Sequence, residues 1–386
     1  MNKSISIKNN SLIQEDVENF LNPDYIYIPF YDTDNILVSV GKKVLKEEAI
    51  IERKNEIVYS SVSGKFIGTT ESTYFDNKEG KCIVIENDFK EKVIDKKGAV
   101  KYISEYSKEE VFSLIKKYSI CSKVINNGAK IMVINGIDQD PYERTYSFLI
   151  NNHCQKILEV IDALASILNI STTILAINNH DNNNVVMLTN HIGTYPNIKL
   201  KLLPDAYPSG YKELVIKNTL TKKQANEGYI YMTVEDMYNI YNVLKRRKPI
   251  TEKLLTLSGN SIENSKVLNV KIGTIIPDII ENCCDIVNDK YFVIKNGLIA
   301  GKTLTHLNQP ITSNMRSLFL NTKSKDIERK CINCGLCNAK CPVGLNPKYL
   351  KEHKNADRSK CIGCGLCTYI CPSKINFKPY LGGKDE

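Results

Sequence analysis

The sequence predicts a multidomain α+β protein, and three observations point to this class. Short β-type runs broken by glycines occupy residues 25–88, and helices alternate with apolar strands after about residue 100. Eight of the thirteen cysteines fall between Cys331 and Cys371. At about 100–200 residues per domain, a chain of 386 residues has room for two to four domains.

The composition excludes a mostly disordered or membrane-spanning chain. Hydrophobic residues make up 42% and charged residues 25%, which is ordinary for globular proteins. No apolar run approaches the ~20 residues that span a bilayer, and the first residues lack the layout of a signal peptide. We therefore predict a cytoplasmic protein without a transmembrane segment, a prediction that also allows a peripheral place on the inner face of the cell membrane.

The N-terminal part is predicted to be a β domain. Residues 1–24 form a polar lead-in that we predict to be helix-rich, and residues 25–100 form the β domain itself. The pieces at 38–51 and 60–65 resemble the half-motifs of a barrel-sandwich hybrid, the fold of biotinyl and lipoyl carriers. Such carriers present a lysine at a hairpin tip, whereas this tip reads Val62-Ser63-Gly64, so we predict a structural role.

Residues 101–225 are predicted to form an α/β domain with a mostly parallel sheet, because helical and strongly apolar strand patterns alternate. Helices are predicted over 107–119 and 154–169, and strands over 130–136, 172–179 and 199–204.

The following residues, 226–300, read as a strand and a helix capped at Thr233, then a ββαβ pattern that suits a β-grasp module. Residues 301–325 have few periodic apolar positions and are predicted to be a linker. Residues 326–380 form the cysteine domain.

The cysteine domain carries a duplicated motif, CINCGLCNAKCP at 331–342 and CIGCGLCTYICP at 361–372. Each copy has the C-x2-C-x2-C-x3-C-P spacing of iron–sulfur proteins, in which the fourth cysteine ligates the other cluster. The sequence therefore predicts a two-cluster ferredoxin domain with crossed ligands. One [4Fe–4S] cluster takes Cys331, Cys334, Cys337 and Cys371, and the other takes Cys361, Cys364, Cys367 and Cys341.

The alternative for this domain is a pair of four-cysteine zinc sites, but those usually pair two C-x2-C knuckles across a longer gap. The net charge of +9 is concentrated here, since residues 322–386 hold 13 basic and 6 acidic residues. Basic residues that offset buried thiolates explain this charge, so we predict no nucleic-acid partner. Ile332, Leu336, Ile362, Leu366 and Ile370 are predicted to form a dry shell around the clusters.

The order of these parts resembles the RnfC-like family, which includes the C subunit of the Rnf electron-transport complex and the electron-transfer protein associated with proline reductase. The resemblance covers about residues 25–380. It is carried by VSVGKKV with SSVSGK, INGIDQDPYERTYSFLI at 134–150, YPSGYKEL at 207–214, TLSGNSI with VLNVKIGT, and the cysteine tail with CPSKI.

The resemblance implies an α/β domain related to the flavin- and NADH-binding subunit of complex I, and a β-grasp module of the SLBB type. It carries the flavin contacts over to Asn135, Asp138, Asp140 and Tyr142. The family's glycine-rich phosphate loop has no match here, because its counterpart at 119–130 has the single glycine Gly128. This departure argues against FMN and NADH. A strand end followed by a proline turn also explains the same four residues.

The resemblance thus implies an iron–sulfur electron-transfer protein that relays single electrons to a partner reductase or a membrane complex, with NADH oxidation through FMN as an added activity only if flavin binds. The alternative is a non-catalytic docking protein in which the ferredoxin tail is the one redox element. The expected partners are redox proteins. Flavin and iron content separate these functions.

Overall fold

The computed structural model describes residues 4–5, 13–54, 56–75, 78–95, 101–120, 128–322, 327–353 and 355–381. Within this part of the chain, no helix is both long enough and apolar enough to cross a lipid bilayer.

The N-terminal part is built of strands. They are β1 (Ile13–Phe20), β2 (Tyr25–Phe30), β3 (Asn35–Ile36), β4 (Lys43–Val44), β5 (Ala49–Arg53), β6 (Glu56–Tyr59), β7 (Gly64–Phe75) and β8 (Lys78–Asn87). Strands β2 to β8 make two sheets, with orders β2-β8-β7-β4 and β3-β5-β6. Their alternate residues bury one apolar core that includes Ile26, Ile28, Ile50, Ile83 and Ile85.

The next part alternates helices and strands. It contains α1 (Lys108–Lys117), β9 (Ile131–Asn135), α2 (Thr145–Ile167), β10 (Thr172–Asn178), α3 (Asn182–Ile192), β11 (Ile198–Leu203), α4 (Lys212–Thr219), α5 (Lys222–Glu227), β12 (Ile230–Thr233) and α6 (Val234–Arg246). The four strands form a parallel sheet with the order β11-β10-β9-β12. Helices α2 and α6 cover one face and α4 covers the other, which gives the predicted α/β layers.

This strand order reverses direction between β9 and β12, so the crevice beyond their carboxyl ends is a topological switch point, where open α/β sheets usually bind ligands. Asn135 ends β9 and Thr233 ends β12 at this point. The predicted cap at Thr233 is confirmed, since its hydroxyl accepts from the Asp236 amide at 3.1 Å.

A mixed sheet follows the parallel sheet of the α/β part. Its elements are β13 (Glu252–Ser258), β14 (Ser265–Lys271), α7 (Ile276–Cys283), β15 (Tyr291–Lys295), β16 (Lys302–Thr303) and β17 (Ser317–Thr322). The strand order is β1-β14-β13-β17-β15-β16, with β13 and β17 parallel at the centre. Helix α7 packs its isoleucines on this sheet.

Two predictions about this sheet are wrong. The lead-in, predicted to be helix-rich, contributes β1, which pairs in parallel with β14 at the sheet edge; residues 1–3 and 6–12 lie outside the described residues. The predicted linker 301–325 contains β17, whose Leu318, Phe319 and Leu320 are buried between β13 and β15. Both segments gain their strand structure from distant partners, which a local pattern does not reveal.

Two helices also differ from the predictions. Helix α2 begins at Thr145 rather than at Cys154, and His153 has non-helical angles (φ −134°, ψ 23°). The predicted start therefore marks a kink inside a longer helix. Helix α3 begins in the polar run 178–184, whose asparagines are typical of a loop, because Asp181 caps the helix by accepting from the Asn184 amide at 3.3 Å.

The cysteine domain has little regular structure. Its helices are α8 (Leu336–Lys340), α9 (Pro347–Glu352) and α10 (Leu366–Tyr369). Helices α8 and α10 begin directly after Gly335 and Gly365, which adopt the left-handed conformation with φ of 74° and 67°. Such a turn suits glycine, and it brings the loop before each helix close to the cysteines that follow.

Candidate functional site

The eight motif cysteines line two separate cavities. The outer cavity is lined by Cys331, Cys334, Cys337 and Cys371. The inner cavity is lined by Cys341, Cys361, Cys364 and Cys367. Each cavity thus takes three cysteines from one copy of the motif and its fourth from the other copy.

Short helices account for this exchange. In each motif, a single helical turn separates the third cysteine from the fourth, so the fourth side chain leaves the loop that holds the first three. The two motifs are tied together where they exchange cysteines. The Arg329 amide donates to the Ser373 carbonyl at 2.9 Å, and the Ser373 hydroxyl donates to the Lys330 carbonyl at 3.0 Å.

The inner cavity lies against the body of the protein. Cys364 and Leu366 are buried and pack with Tyr207 of the α/β part and Ile299 of the six-stranded sheet. The Tyr207 hydroxyl donates to the Cys364 carbonyl, and the Lys378 ammonium donates to the Gly301 carbonyl at 2.8 Å. The α/β part and the six-stranded sheet therefore cover the inner cavity.

The outer cavity faces solvent. Cys331 and Cys334 are exposed, and Ile332 is 65% exposed. Ile332 was predicted to belong to a dry shell, and that prediction is wrong, because no described part of the chain covers this end of the domain in the way that Tyr207 and Ile299 cover Leu366. Leu336, Ile362 and Ile370 are half-buried, so Leu366 is the one predicted shell residue that is fully buried.

The donor set and the space fit an iron–sulfur cluster. The cavities measure about 210 Å³ and 280 Å³, several times the ~30 Å³ share of one water molecule. Among the residues that the structure describes, no three His, Cys, Asp or Glu side chains converge tightly enough for one metal ion. Four thiolates spread around a larger space match a cubane, which takes one cysteine on each of four irons.

Protonation is consistent with metal-binding cysteines. Burial and the neighbouring cysteines raise the pKa of the Cys364 and Cys367 thiols to about 12. A metal that binds such thiols displaces their protons. Backbone amides already point at sulfur: the Leu345 amide donates to Cys341 Sγ at 3.2 Å, and the Asn333 amide to Cys331 Sγ at 3.4 Å. Amides so placed stabilise thiolate ligands.

The residues predicted as flavin contacts lie at the switch point of the parallel sheet, but they bond within the protein. The Asn135 side chain donates to the Gly210 carbonyl at 2.9 Å. Asp138 caps α2, since its carboxylate accepts from the amides of Tyr146 at 2.8 Å and Ser147 at 3.1 Å. Tyr142 stacks edge-on against Phe319, with ring centroids 6.3 Å apart.

Asp140 joins the α/β part to the six-stranded sheet. Its carboxylate accepts from the amides of Tyr142 at 3.1 Å and Ile299 at 2.9 Å. Burial raises the pKa of Asp140 to about 6, and the nearby Glu143 adds to the shift. Glu143 accepts from the Ser317 hydroxyl at 2.7 Å and pairs with Arg316 at 3.4 Å. The segment that suggested a flavin site is thus a joint between domains.

The remaining cysteines have packing roles. Cys82, Cys154 and Cys283 are buried and Cys284 is half-buried, and burial raises the pKa of each thiol to between about 11 and about 12. Cys121 lies outside the described residues, as do residues 121–127 of the stretch that stands in for the family's glycine-rich loop.

Comparison with known proteins identifies both chemical parts. The model of the Nuo51 FMN-binding domain matches residues 108–244, and the model of the 4Fe-4S dicluster domain matches residues 323–372. The C subunit of the ion-translocating oxidoreductase complex of Buchnera aphidicola is 25% identical over 83% of this chain and 72% of the relative. Over most of its length the chain is similar to proteins of the RnfC-like family. It is an iron–sulfur electron-transfer protein with 4Fe-4S clusters.

Other RnfC-like relatives are equally distant. The C subunit of the proton-translocating ferredoxin:NAD(+) oxidoreductase complex of Clostridium ljungdahlii is 25% identical over 81% of this chain and 72% of the relative. The C subunit of an ion-translocating oxidoreductase complex from Haemophilus influenzae is 26% identical over 86% of this chain, which spans 45% of that relative. Among solved structures, an NAD+-reducing [NiFe]-hydrogenase in the H2-reduced state aligns with a TM-score of 0.48 and 10% identity, covering 75% of this chain and 61% of that chain.

The sequence motifs did not indicate every residue that contacts the inner motif or its cavity. Tyr207 and Tyr211 belong to the YPSGYKEL motif, which marked the family without indicating contact with the inner motif. Glu143 and Arg316 form a buried ion pair beside the inner cavity, and Arg316 lines that cavity. Glu143 stands in the same motif as Asp138 and Asp140, so its acidic character was the available signal.

Proposed function

We propose that this chain is the electron-relay subunit of an ion-translocating oxidoreductase complex of the Rnf type. The observation that carries the proposal is the inequivalence of the two cysteine cavities. One cavity is covered by the α/β part and the six-stranded sheet, and the other is open to solvent. A relay needs one site that exchanges electrons inside the assembly and one that a partner can approach.

We assign the outer cavity cysteines and the inner cavity cysteines as the ligands of two [4Fe–4S] clusters, which supply one-electron redox sites when bound. The lining of the two cavities supports this crossed assignment. Cys337 adds to the raised pKa of Cys367 across the domain, so the two sets of thiols are electrostatic neighbours. The chain's own part is to hold the thiolates, exclude water from the inner set and leave the outer set accessible.

The accessory parts also have proposed identities. The order of β14, β13, β17, β15 and β16 supports a β-grasp module of the SLBB type, extended by β1 at its edge. The two small sheets formed by β2 to β8 support a barrel-sandwich hybrid at 25–100. In this proposal the α/β domain covers 101–225, the β-grasp module covers 226–300 together with β17, and the ferredoxin domain covers 326–380.

The α/β domain acts in this proposal as a support for the inner cavity. The carboxylates of Asp138 and Asp140 accept hydrogen bonds from backbone amides, and the Asn135 side chain donates to the Gly210 carbonyl. These bonds support structural roles for the three residues. A second candidate function is oxidation of NADH through FMN bound to this domain. The match of residues 108–244 to an FMN-binding domain favours it.

The proposed partners are redox proteins. The named relatives are subunits of ion-translocating complexes, which suggests a peripheral position on a membrane complex; a soluble reductase is the other partner class. Arg329 and Lys330 are exposed beside the outer cavity, so an electron carrier with an acidic face suits this end of the domain.

The test is anaerobic purification with iron, acid-labile sulfide and flavin measured on the same sample. We expect about eight irons per chain and no flavin, since each cubane holds four irons. Stoichiometric flavin would instead favour the NADH-oxidising function. Two single variants then test the ligands: Cys341→Ala should lose about four irons from the inner cavity, and Cys371→Ala about four from the outer cavity.

Electron paramagnetic resonance of the reduced variants identifies which site is lost. Cys284→Ala is the matched control, because Cys284 packs against the core of the six-stranded sheet, outside both cavities. It should keep about eight irons. Zinc in place of iron, or loss of all iron from Cys284→Ala, would contradict the proposal.

A further inference from the structure

The two cysteine motifs share one spacing but not one environment. Gly365 of the inner motif is packed so closely that a Cβ there would stand 2.7 Å from the Ile299 carbonyl oxygen. Gly335 of the outer motif has open space at the same point. Cys364 is 8% exposed, whereas its counterpart Cys334 is exposed. A difference in reduction potential between the two sites would therefore arise from the groups that pack on the inner motif.

Tyr207 is a polar side chain of the α/β domain that makes a direct hydrogen bond to this motif. It is 6% exposed, and its hydroxyl donates to the backbone carbonyl of Cys364. The bond is made to a residue whose sulfur lines the inner cavity.

The position of Tyr207 is held from several sides. Its amide donates to the Ile5 carbonyl at 2.8 Å and the Ile5 amide donates back at 3.1 Å. Its ring stands edge-on to Tyr211 with centroids 6.1 Å apart, and the two hydroxyls are 3.4 Å apart. A side chain fixed in this way presents its dipole in one direction, which is the condition for tuning a nearby charge.

The surroundings strengthen that dipole. Tyr207 packs with Ile299, Leu366 and Ile5, so water does not screen the hydroxyl from the inner cavity. Iron–sulfur potentials respond to hydrogen bonding and burial, and a donor stabilises the reduced state, which carries one more negative charge. The outer motif, which is open to solvent, has no such fixed donor from the α/β domain among the described residues.

We propose that Tyr207 is a positioning residue that raises the reduction potential of the inner iron–sulfur site above the value that its ligands alone would give. The inference rests on the proposed relay function and deepens it. The hydroxyl acts through the Cys364 carbonyl, and it makes the reduction potentials of the two sites different although their ligand spacing is the same. The α/β domain therefore determines which of the two sites holds the electron.

The test is a redox titration of the full chain, followed by electron paramagnetic resonance, for the wild type and for Tyr207→Phe. Phenylalanine keeps the ring and removes only the hydroxyl. We expect one of the two midpoints to become more negative and the other to stay unchanged. A neutral hydrogen bond is worth about threefold to tenfold in an equilibrium constant, which is a shift of about 30 to 60 mV for a one-electron couple.

Three further variants make the readout specific. Tyr195→Phe is the control, since Tyr195 packs against the core of the α/β part and lines neither cysteine cavity, and it should leave both midpoints in place. Tyr207→Leu removes ring and hydroxyl together and separates packing from hydrogen bonding. Tyr207→Phe in a Cys334→Ala background, which keeps the four inner cysteines, shows whether the shifted midpoint belongs to the inner site.

The results of these titrations either support the inference or overturn it. A shift of the inner midpoint in Tyr207→Phe, with about eight irons retained, supports the inference. Unchanged midpoints in Tyr207→Phe together with a shift in Tyr207→Leu would overturn it and assign Tyr207 to packing alone. A shift of both midpoints, or of the outer one, would also overturn it. A wild type without iron would refute the relay function itself, which is a different result.

Discussion

At the scale of single residues, the protein buries a lysine and neutralises it with carboxylates from two domains. Lys271 on β14 is fully buried, with its ammonium 3.2 Å from Glu91 and 3.3 Å from Glu252. Burial acts to raise the pKa of Glu252, but the ammonium groups of Lys248, Lys271 and Lys46 outweigh it, and the pKa falls to about 2. The group is therefore ionised in the folded protein at every ordinary pH.

Glu252→Gln should destabilise the fold, because it leaves the Lys271 charge buried with one partner fewer. We expect a loss of about 3 kcal/mol, at the lower end of the cost of breaking a buried ion pair, since Glu91 remains. Scanning calorimetry of the anaerobic protein at pH 7 measures this as a lower temperature of the first transition.

The pH dependence follows from the depressed pKa of Glu252. The stability that the carboxylate contributes is fully present above its ordinary pKa of 4.5 and is lost as the pH falls towards about 2. The difference between wild type and variant should therefore be constant from pH 7 to about 4.5 and then narrow. Glu227→Gln, which removes an exposed pair with Lys223, is the control and should stay within about 1 kcal/mol of wild type. Equal losses in both variants would contradict the role of burial.

The role of a residue could be predicted from the sequence where the spacing between residues along the chain determines what they bind. The spacing predicts the eight motif cysteines as ligands in a crossed grouping, and the lining of the two cavities supports that grouping. The part played by Tyr207 could not be predicted, since its partner Cys364 is 157 residues away in the chain. The sequence also did not indicate that Asp138 and Asp140 accept hydrogen bonds from the backbone amides of Tyr146 and Ile299.

At the scale of elements, the turns before α8 and α10 are the same conformation in two different settings. Both Gly335 and Gly365 have positive φ, so an alanine at either position carries a backbone cost of roughly 1–2 kcal/mol. Only at Gly365 would the new methyl also meet a backbone atom, the Ile299 carbonyl oxygen.

Gly365→Ala should therefore push the inner motif off the six-stranded sheet and lose about four irons, whereas Gly335→Ala should keep about eight, because each cubane holds four irons. Iron analysis and electron paramagnetic resonance of the two purified variants measure the difference. Equal iron content in the two variants would show that backbone conformation, not the contact with Ile299, decides whether a motif can hold its site.

Elements with their own amphipathic or apolar pattern could be predicted well. Strand β2 covers Tyr25–Phe30, at the start of the predicted β region, and α1 lies within the predicted 107–119. Strands β1 and β17 could not be predicted in the same way. Strand β1 is a polar edge strand that exists through its pairing with β14, and β17 is a short apolar run inside a polar stretch.

At the scale of the whole molecule, the described residues of the ferredoxin domain contact the rest of the protein at one end. Contacts from Tyr207, Ile299 and Gly301 converge on the inner motif, and the Lys340 ammonium reaches the Ser4 carbonyl at 3.3 Å. The opposite end, with Cys331 and Cys334, meets solvent. This polarity places the two redox sites at different depths from the surface.

Iron should therefore leave the protein in two phases when a water-soluble chelator is added, with about four irons in each phase, as expected for two cubanes. The fast phase should come from the outer cavity, because its cysteines are open to attack. Absorbance of the iron–chelator complex follows the release. Cys341→Ala, which keeps the four outer cysteines, should show only the fast phase, and Cys371→Ala only the slow one. A single phase in the wild type would contradict the asymmetry.

The exchange of cysteines between the motifs also constrains how the protein matures. Cys341 belongs to the inner cavity and Cys371 to the outer one, so neither cavity has its four thiols until both motifs have left the ribosome. A chain interrupted anywhere between residues 342 and 360 would hold neither complete ligand set. The scaffold proteins that deliver iron and sulfide therefore meet no complete site until the second motif has been made, although each site can then be filled or lost separately.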